Sequence, residues 1–136
     1  AVGKTDNTFV IPDGVTTIAD SAFEYGCNLT QIVMADSVNR ICYSAFSSCY
    51  NITEIELIGE IEYIDNHAFD GCYNMESITI TNSVKEIGSY VFQLCSKLKT
   101  VNYLGSASDW EKIIIGKGND YFINATINYN YVPVEE

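Results

Sequence analysis

Apolar residues recur along this chain with a period of 23. Phe23, Phe46, Phe69 and Phe92 mark the interval, and aligning on them gives columns that hold without a gap. One column reads Phe9, Ile32, Ile55, Ile78, Val101, and the next apolar one Ile11, Met34, Leu57, Ile80, Tyr103. Val15, Val38, Ile61, Val84 and Ile18, Ile41, Ile64, Ile87 follow. Ala22, Ala45, Ala68, Val91 precede the phenylalanines, and Leu29, Ile52, Met75, Leu98 close each unit. Seven columns over four full repeats give 28 positions, all apolar. At a background apolar fraction of 47% chance agreement is on the order of 10⁻⁹, so the repeat is secure.

The pattern dictates local structure. In Ile32-Val33-Met34, Ile55-Glu56-Leu57 and Ile78-Thr79-Ile80 the outer residues point one way and the middle one the other, which is a short strand with its apolar pair inward. One such unit cannot bury its inward face alone, but stacked units share a continuous core, with strands aligned in parallel about 4.8 Å apart. The segment from Val15 to Ile18 returns the chain along an opposite wall, and the Ala-Phe pairs are expected in short helical or 3₁₀ turns. The expected fold is a right-handed β/α solenoid, mostly β, with parallel strands on a concave face.

Units such as VIPDGVTTIADSAFEYGCNLTQI and ITITNSVKEIGSYVFQLCSKLKTV resemble the leucine-rich repeats of the BspA type. Val38, Ile41, Ala45, Phe46, Cys49 and Ile52 match that family's unit in one repeat, and Val84, Ile87, Gly88, Phe92, Cys95 and Leu98 in another. Only Pro12 keeps the family's proline after the strand, and Gly59-Glu60 replaces the usual polar-Ser pair. The tail, through Trp110, Ile113-Ile114-Ile115 and Ile127-Asn128-Tyr129, resembles the segment that often ends such arrays in bacterial surface proteins. Trp110 falls in the column of Ile18 and Ile87, and Ile127-Asn128-Tyr129 echoes Val101-Asn102-Tyr103 as a last strand reached by a longer loop. The expected organisation is an N-terminal extension (1–8), four repeats (9–100), a modified capping repeat (101–131) and a tail (132–136). With no comparable cap before Phe9, a fragment or a neighbouring module upstream is expected. The resemblance implies a secreted or cell-surface protein that binds host or neighbouring macromolecules, and it brings no shared catalytic residue.

Charge narrows the partners. Seven basic residues against 18 acidic ones give a net charge of −11, which repels phosphate backbones and anionic headgroups, so neither nucleic acid nor a membrane surface is expected. No apolar run reaches the roughly 18 residues of a membrane span. A monomer is expected.

Candidate chemistry is sparse. Cys49, Cys72 and Cys95 share a column, Cys27 lies one place off it, and Cys42 sits in the polar or small column of Ala19, Asp65 and Gly88. No Cys-x₂-Cys pair suits zinc, and parallel side chains in a ladder seldom reach the disulfide torsion. Five thiols acting as small buried filler are expected, with Cys42 the most accessible. His67, the sole histidine, reads as a surface turn residue. No nucleophile motif, phosphate loop or calcium loop is present, so neither an enzyme nor a cofactor is expected. Three Asn-x-Thr sequons begin at Asn28, Asn51 and Asn124, but Asn28, Asn51 and Asn74 form a column that a repeated turn asparagine explains.

What remains is the outward face of the long strands. Gln31, Val33, Glu54, Glu56, Ser77, Thr79, Thr100 and Asn102 are the candidate contact residues for an extracellular or host protein or glycan. The docking centre is expected at Glu54, Glu56, Thr79 and Asn102, with a structural spacer as the alternative role.

Overall fold

The computed structural model describes residues 7–26 and 28–133. The expected extension up to residue 6, Cys27 and the last three residues of the expected tail lie outside them. Among the described residues, eleven strands and two one-turn helices follow in the order β1 (Thr8–Val10), β2 (Thr17–Ile18), β3 (Gln31–Val33), β4 (Arg40–Ile41), β5 (Glu54–Leu57), β6 (Tyr63–Ile64), β7 (Ser77–Ile80), β8 (Glu86–Ile87), β9 (Thr100–Tyr103), α1 (Ala107–Trp110), β10 (Ile114–Ile115), α2 (Asp120–Ile123) and β11 (Thr126–Asn128). The odd-numbered strands form a long-strand wall and the even-numbered ones a short-strand wall. Every pairing is parallel, and from β1 to β9 every register advances by one repeat, as in Ile55 opposite Ile78 and Ile41 opposite Ile64.

A third wall runs through the Ala-Phe pairs. Ala45 N donates to Cys42 O and Ser47 N to Ser44 O, which is 3₁₀-type bonding within the turn. Ser44, Phe46 and Ser48 turn their N–H groups to the next coil, onto Asn66 O, Ala68 O and Asp70 O at 2.7–3.1 Å. The alternation needs left-handed residues four apart: Ser21 and Tyr25, Ser44 and Ser48, His67 and Gly71, Tyr90 and Leu94 all have φ between 55° and 81°. These residues break the expected helical turn into a flat one whose peptide groups serve two coils.

Between the walls the phenylalanines stack in file, 5.2, 5.3 and 5.8 Å apart from Phe23 to Phe92 and within 5° of parallel. Phe122, from α2, closes the file 4.4 Å from Phe92. The column reading of Trp110 is therefore corrected. Ile115, not Trp110, pairs with Ile87, because five extra residues house α1, whose N-terminus is closed by a Ser106–Asp109 capping box. Trp110 packs instead on the cap, edge-on to Tyr103 at 5.0 Å and against Phe122 at 5.4 Å, and is only half-buried. The last strand falls where the echo placed it, with Ile127 opposite Val101 and Asn128 opposite Asn102.

Candidate binding cleft

The core columns hold little chemistry. Cys49, Cys72 and Cys95 are fully buried, and each Sγ donates to the phenylalanine carbonyl one coil back: Phe23 O at 3.1 Å, Phe46 O at 3.3 Å and Phe69 O at 3.2 Å. They are more than filler, since each gives a second donor to a carbonyl that already accepts from its own coil, from Gly26 N, Cys49 N and Cys72 N in turn. Burial pushes the Cys95 thiol from 9.0 up to about 12, and Cys72 well above 9.0. Cys42 is half-exposed, but burial and the neighbouring Asp65 and Asp20 carboxylates raise it too. The folded chain thus holds these protons more tightly than the unfolded one. Their stabilisation is complete below about pH 8.5 and is lost as pH climbs through the raised values. A melting temperature falling steeply from pH 9 upward, and less steeply in Cys95→Ala, is expected from thermal scans; a flat profile would contradict the buried thiols.

His67 is a turn residue held on both sides. Its Nδ1 lies 2.8 Å from Asp70 Oδ2, its ring stacks on Tyr90 at 5.4 Å, and Tyr43 meets it edge-on. Asn74 Nδ2 donates to Tyr50 O at 2.7 Å, which is the turn role expected of that column. A cavity of about 360 Å³ over the short-strand wall is lined by Arg40, Tyr63 and Asp65, but Arg40 is already matched by Asp65 at 3.1 Å and by the Tyr63 ring. Among the described residues no group of three or more His, Cys, Asp or Glu side chains is placed to hold a metal ion, and no helix is long and apolar enough to cross a membrane.

The long-strand wall is different, because it is not continuous. β1 and β3 form one sheet, β5, β7, β9 and β11 another, and among the described residues no ladder hydrogen bond joins β3 to β5. In the next coils Thr81 N donates to Leu57 O, Leu104 N to Ile80 O and Glu76 N to Thr53 O. The equivalent partners one step back, Ile58 N with Met34 O and Thr53 N with Thr30 O, are not joined. The short-strand wall runs unbroken through the same step, as does the third wall, where Phe46 N reaches Ala68 O at 2.8 Å. The parting is thus confined to one face.

The sequence supplies a physical cause. In the column after the strand, Ser37 Oγ donates to Val15 O at 2.7 Å and Ser83 Oγ to Ile61 O at 2.6 Å, each fastening its coil to the one before. At the parted step this column holds Glu60, an exposed side chain with no hydroxyl to offer the Val38 carbonyl. Gly59, at φ +97°, keeps its own backbone close against Asp36, so the coils touch at the turn and part along the strands. At the last step Ser106 caps α1 instead, yet β7 and β9 still pair through four residues. A missing hydroxyl is therefore insufficient alone to part the strands.

Over this step lies a half-open hollow of about 730 Å³, lined by residues of both strands and by Tyr131, with β3 and β5 still in contact beneath it and Ile32 and Ile55 buried. It gathers four of the eight sequence candidates, Gln31, Val33, Glu54 and Glu56, all exposed. It leaves out Ser77, Thr79, Thr100 and Asn102. Thr79 is only 5% exposed, and its hydroxyl accepts from Asn102 Nδ2 at 3.5 Å while Asn102 Oδ1 accepts from Asn128 Nδ2 at 2.9 Å. That polar ladder ties up the C-terminal half of the face, so a docking centre on Thr79 is corrected: its side chain is not available to a partner. Ile58 and Tyr131 were missed. Ile58 belongs to the outward register of Glu54 and Glu56, but nothing in the period points to Tyr131, which enters from beyond the last strand.

Comparison with known proteins places this architecture. The model of the BspA type leucine rich repeat region matches residues 4–117 in six copies. A leucine rich cell surface protein of Faecalibacterium prausnitzii superposes with a TM-score of 0.71 at 28% identity, over 80% of this chain and 35% of that one. The leucine rich repeat protein of T. pallidum gives 0.68 at 24% identity, over 82% and 56%, and one from Bacteroides ovatus 0.58 at 24%, over 82% and 33%. The chain thus spans about a third to just over half the length of these solved relatives, and no curated protein matches it significantly. With the family model matching most of its length and the coil geometry as described, the chain belongs to the BspA-type leucine-rich repeat family.

Proposed function

We propose that this chain is a non-catalytic recognition module of a secreted or cell-surface protein, and that it holds a macromolecular partner on the long-strand wall over Gln31, Val33, Glu54 and Glu56. The observation that carries this reading is the cleft of about 730 Å³ opened in an otherwise paired wall. Short strands fix the lining side chains, so little conformational entropy is lost on binding. The carboxylates of Glu54 and Glu56 on a chain of net charge −11 favour a partner with a basic patch, with association that weakens as salt is added. A leucine rich cell surface protein among its structural neighbours supports the setting.

The test is a binding screen of this chain against extracellular proteins and glycans, followed by the double variant Glu54→Lys, Glu56→Lys against any partner found. Both residues are exposed, so the variant should keep the parent melting temperature and bind about tenfold more weakly, or less, through like-charge repulsion. Equal binding by variant and parent would remove the recognition surface from this wall. A screen without a partner would favour a spacer that positions other modules.

A further inference from the structure

We infer that the short-strand wall carries a second binding site, a hollow between Tyr63 and Tyr43 that takes a neutral saccharide. It shares no residue with the hollow over β3 and β5. On a short strand the residues either side of the buried isoleucine point outward, so Tyr63 and Asp65 flank Ile64 on one face. Register sets Arg40, Tyr63 and Glu86 in a row from coil to coil. Beside that row lies a hollow of about 360 Å³, with Tyr43 and Asn66 on its other side. Gly88 lets Asn66 lie flat against the next coil, because a Cβ there would meet Asn66 N at 2.8 Å and run into its Oδ1.

The polar groups of this hollow are already held in place. Arg40 is paired with Asp65 at 3.1 Å, and its guanidinium carbon lies 4.8 Å from the centre of the Tyr63 ring. Asn66 Oδ1 accepts from Ser89 N at 2.8 Å, which leaves the amide nitrogen as the donor. Groups fixed in this way lose little entropy when a ligand arrives. Their chemistry then selects the ligand. Arg40 is neutralised by Asp65, and Glu86 adds an exposed carboxylate, so the lining offers no spare positive charge to a phosphate or a sulfate. A peptide cannot add here as a strand, because β4, β6 and β8 are paired through this stretch. What remains is a set of guanidinium and amide donors beside carboxylate acceptors, and a hydroxyl group satisfies both because it donates and accepts. Tyr43, at 51% exposure, supplies ring surface for the C–H face of a sugar, whose partial positive charge suits the negative face of an aromatic ring.

The test is saturation-transfer NMR of the folded chain with the methyl glycosides of glucose, galactose, mannose and N-acetylglucosamine, beside a sulfated galactoside. At least one neutral glycoside should receive saturation and, on titration, shift the resonances of Arg40, Tyr43 and Tyr63. Tyr43→Ala and Asp65→Asn should each bind it at least about tenfold more weakly. The Glu54→Lys, Glu56→Lys variant, altered on the other wall, should bind it as the parent does. Tyr43 is exposed, so Tyr43→Ala should melt with the parent; if either variant melts lower, the map of shifts on the parent chain decides instead. The inference is overturned if no neutral glycoside binds, if Tyr43→Ala binds as well as the parent, or if the sulfated sugar binds more tightly than the neutral ones. Shifts centred on the long-strand wall, with binding lost in the Glu54→Lys, Glu56→Lys variant, overturn it as well and leave the recognition reading standing.

Discussion

Phe69→Ala should destabilise the array by about 3–5 kcal/mol and lower a single melting transition of the whole chain. Phe69 is fully buried and stacked between Phe46 at 5.3 Å and Phe92 at 5.8 Å. Removing its ring leaves a hole that neither neighbour can fill, because each is held by the next ring in the file and by an adjacent backbone turn. Each coil contacts only its neighbours, so a weakened central interface reaches both halves. Urea unfolding read by circular dichroism checks it. A loss under about 1 kcal/mol would mean that the ring column is not the core.

The second large effect is at the opposite extreme of chemistry. Asn119 is a fully buried polar side chain. Its Oδ1 accepts from Phe92 N at 3.0 Å, and its Nδ2 donates to Gly88 O and Gly116 O, both at 2.9 Å. It occupies the place where a further coil would take the Phe92 N–H of the third wall, beside Lys117 O, which takes the Tyr90 N–H. Asn119→Leu would orphan those groups at about 1–3 kcal/mol apiece, for a total of at least about 3 kcal/mol. Trp110 is the sole tryptophan and packs on the same cap, so its fluorescence should report loosening there before the global transition. A variant that melts like the parent, with unchanged Trp110 emission, would show that the cap does not depend on Asn119.

These two residues mark what a sequence of this kind discloses. Phe69 stands in a column that repeats every 23 residues, and periodic burial is legible because each repeat restates it. Asn119 occurs once, beyond the last clean repeat, and no column could nominate it. The same division explains Trp110: the count of 23 carried it into an isoleucine column, but five inserted residues reset the register to Ile115. The left-handed turn residues were also hidden. Glycine or asparagine would have announced them, whereas Ser44, His67 and Tyr90 adopt φ near +60° where each N–H donates to the next stretch of backbone, at Asn66 O, Ser89 O and Lys117 O. The candidate face was half legible. Alternation identified Glu54 and Glu56 as outward, yet it also marked Thr79 outward, which a polar ladder from Asn102 and Asn128 covers. Gly59-Glu60 was visible as a departure from the repeat, but its effect on the wall required knowing that Ser37 and Ser83 fasten coil to coil.

Among the described residues the long-strand wall is paired everywhere except at one step, and amide hydrogen exchange read residue by residue tests this most directly. Thr81 N and Leu104 N, which donate to Leu57 O and Ile80 O, should exchange slowly, near the rate set by global unfolding. Ile58 N, in the same column one coil earlier, should exchange faster by orders of magnitude, with Thr53 N beside it, while Phe46 N and Phe69 N on the third wall stay protected. Slow exchange at Ile58 and Thr53, equal to that at Thr81 and Leu104, would mean that β3 and β5 are paired, and the cleft with its proposed partner would be withdrawn.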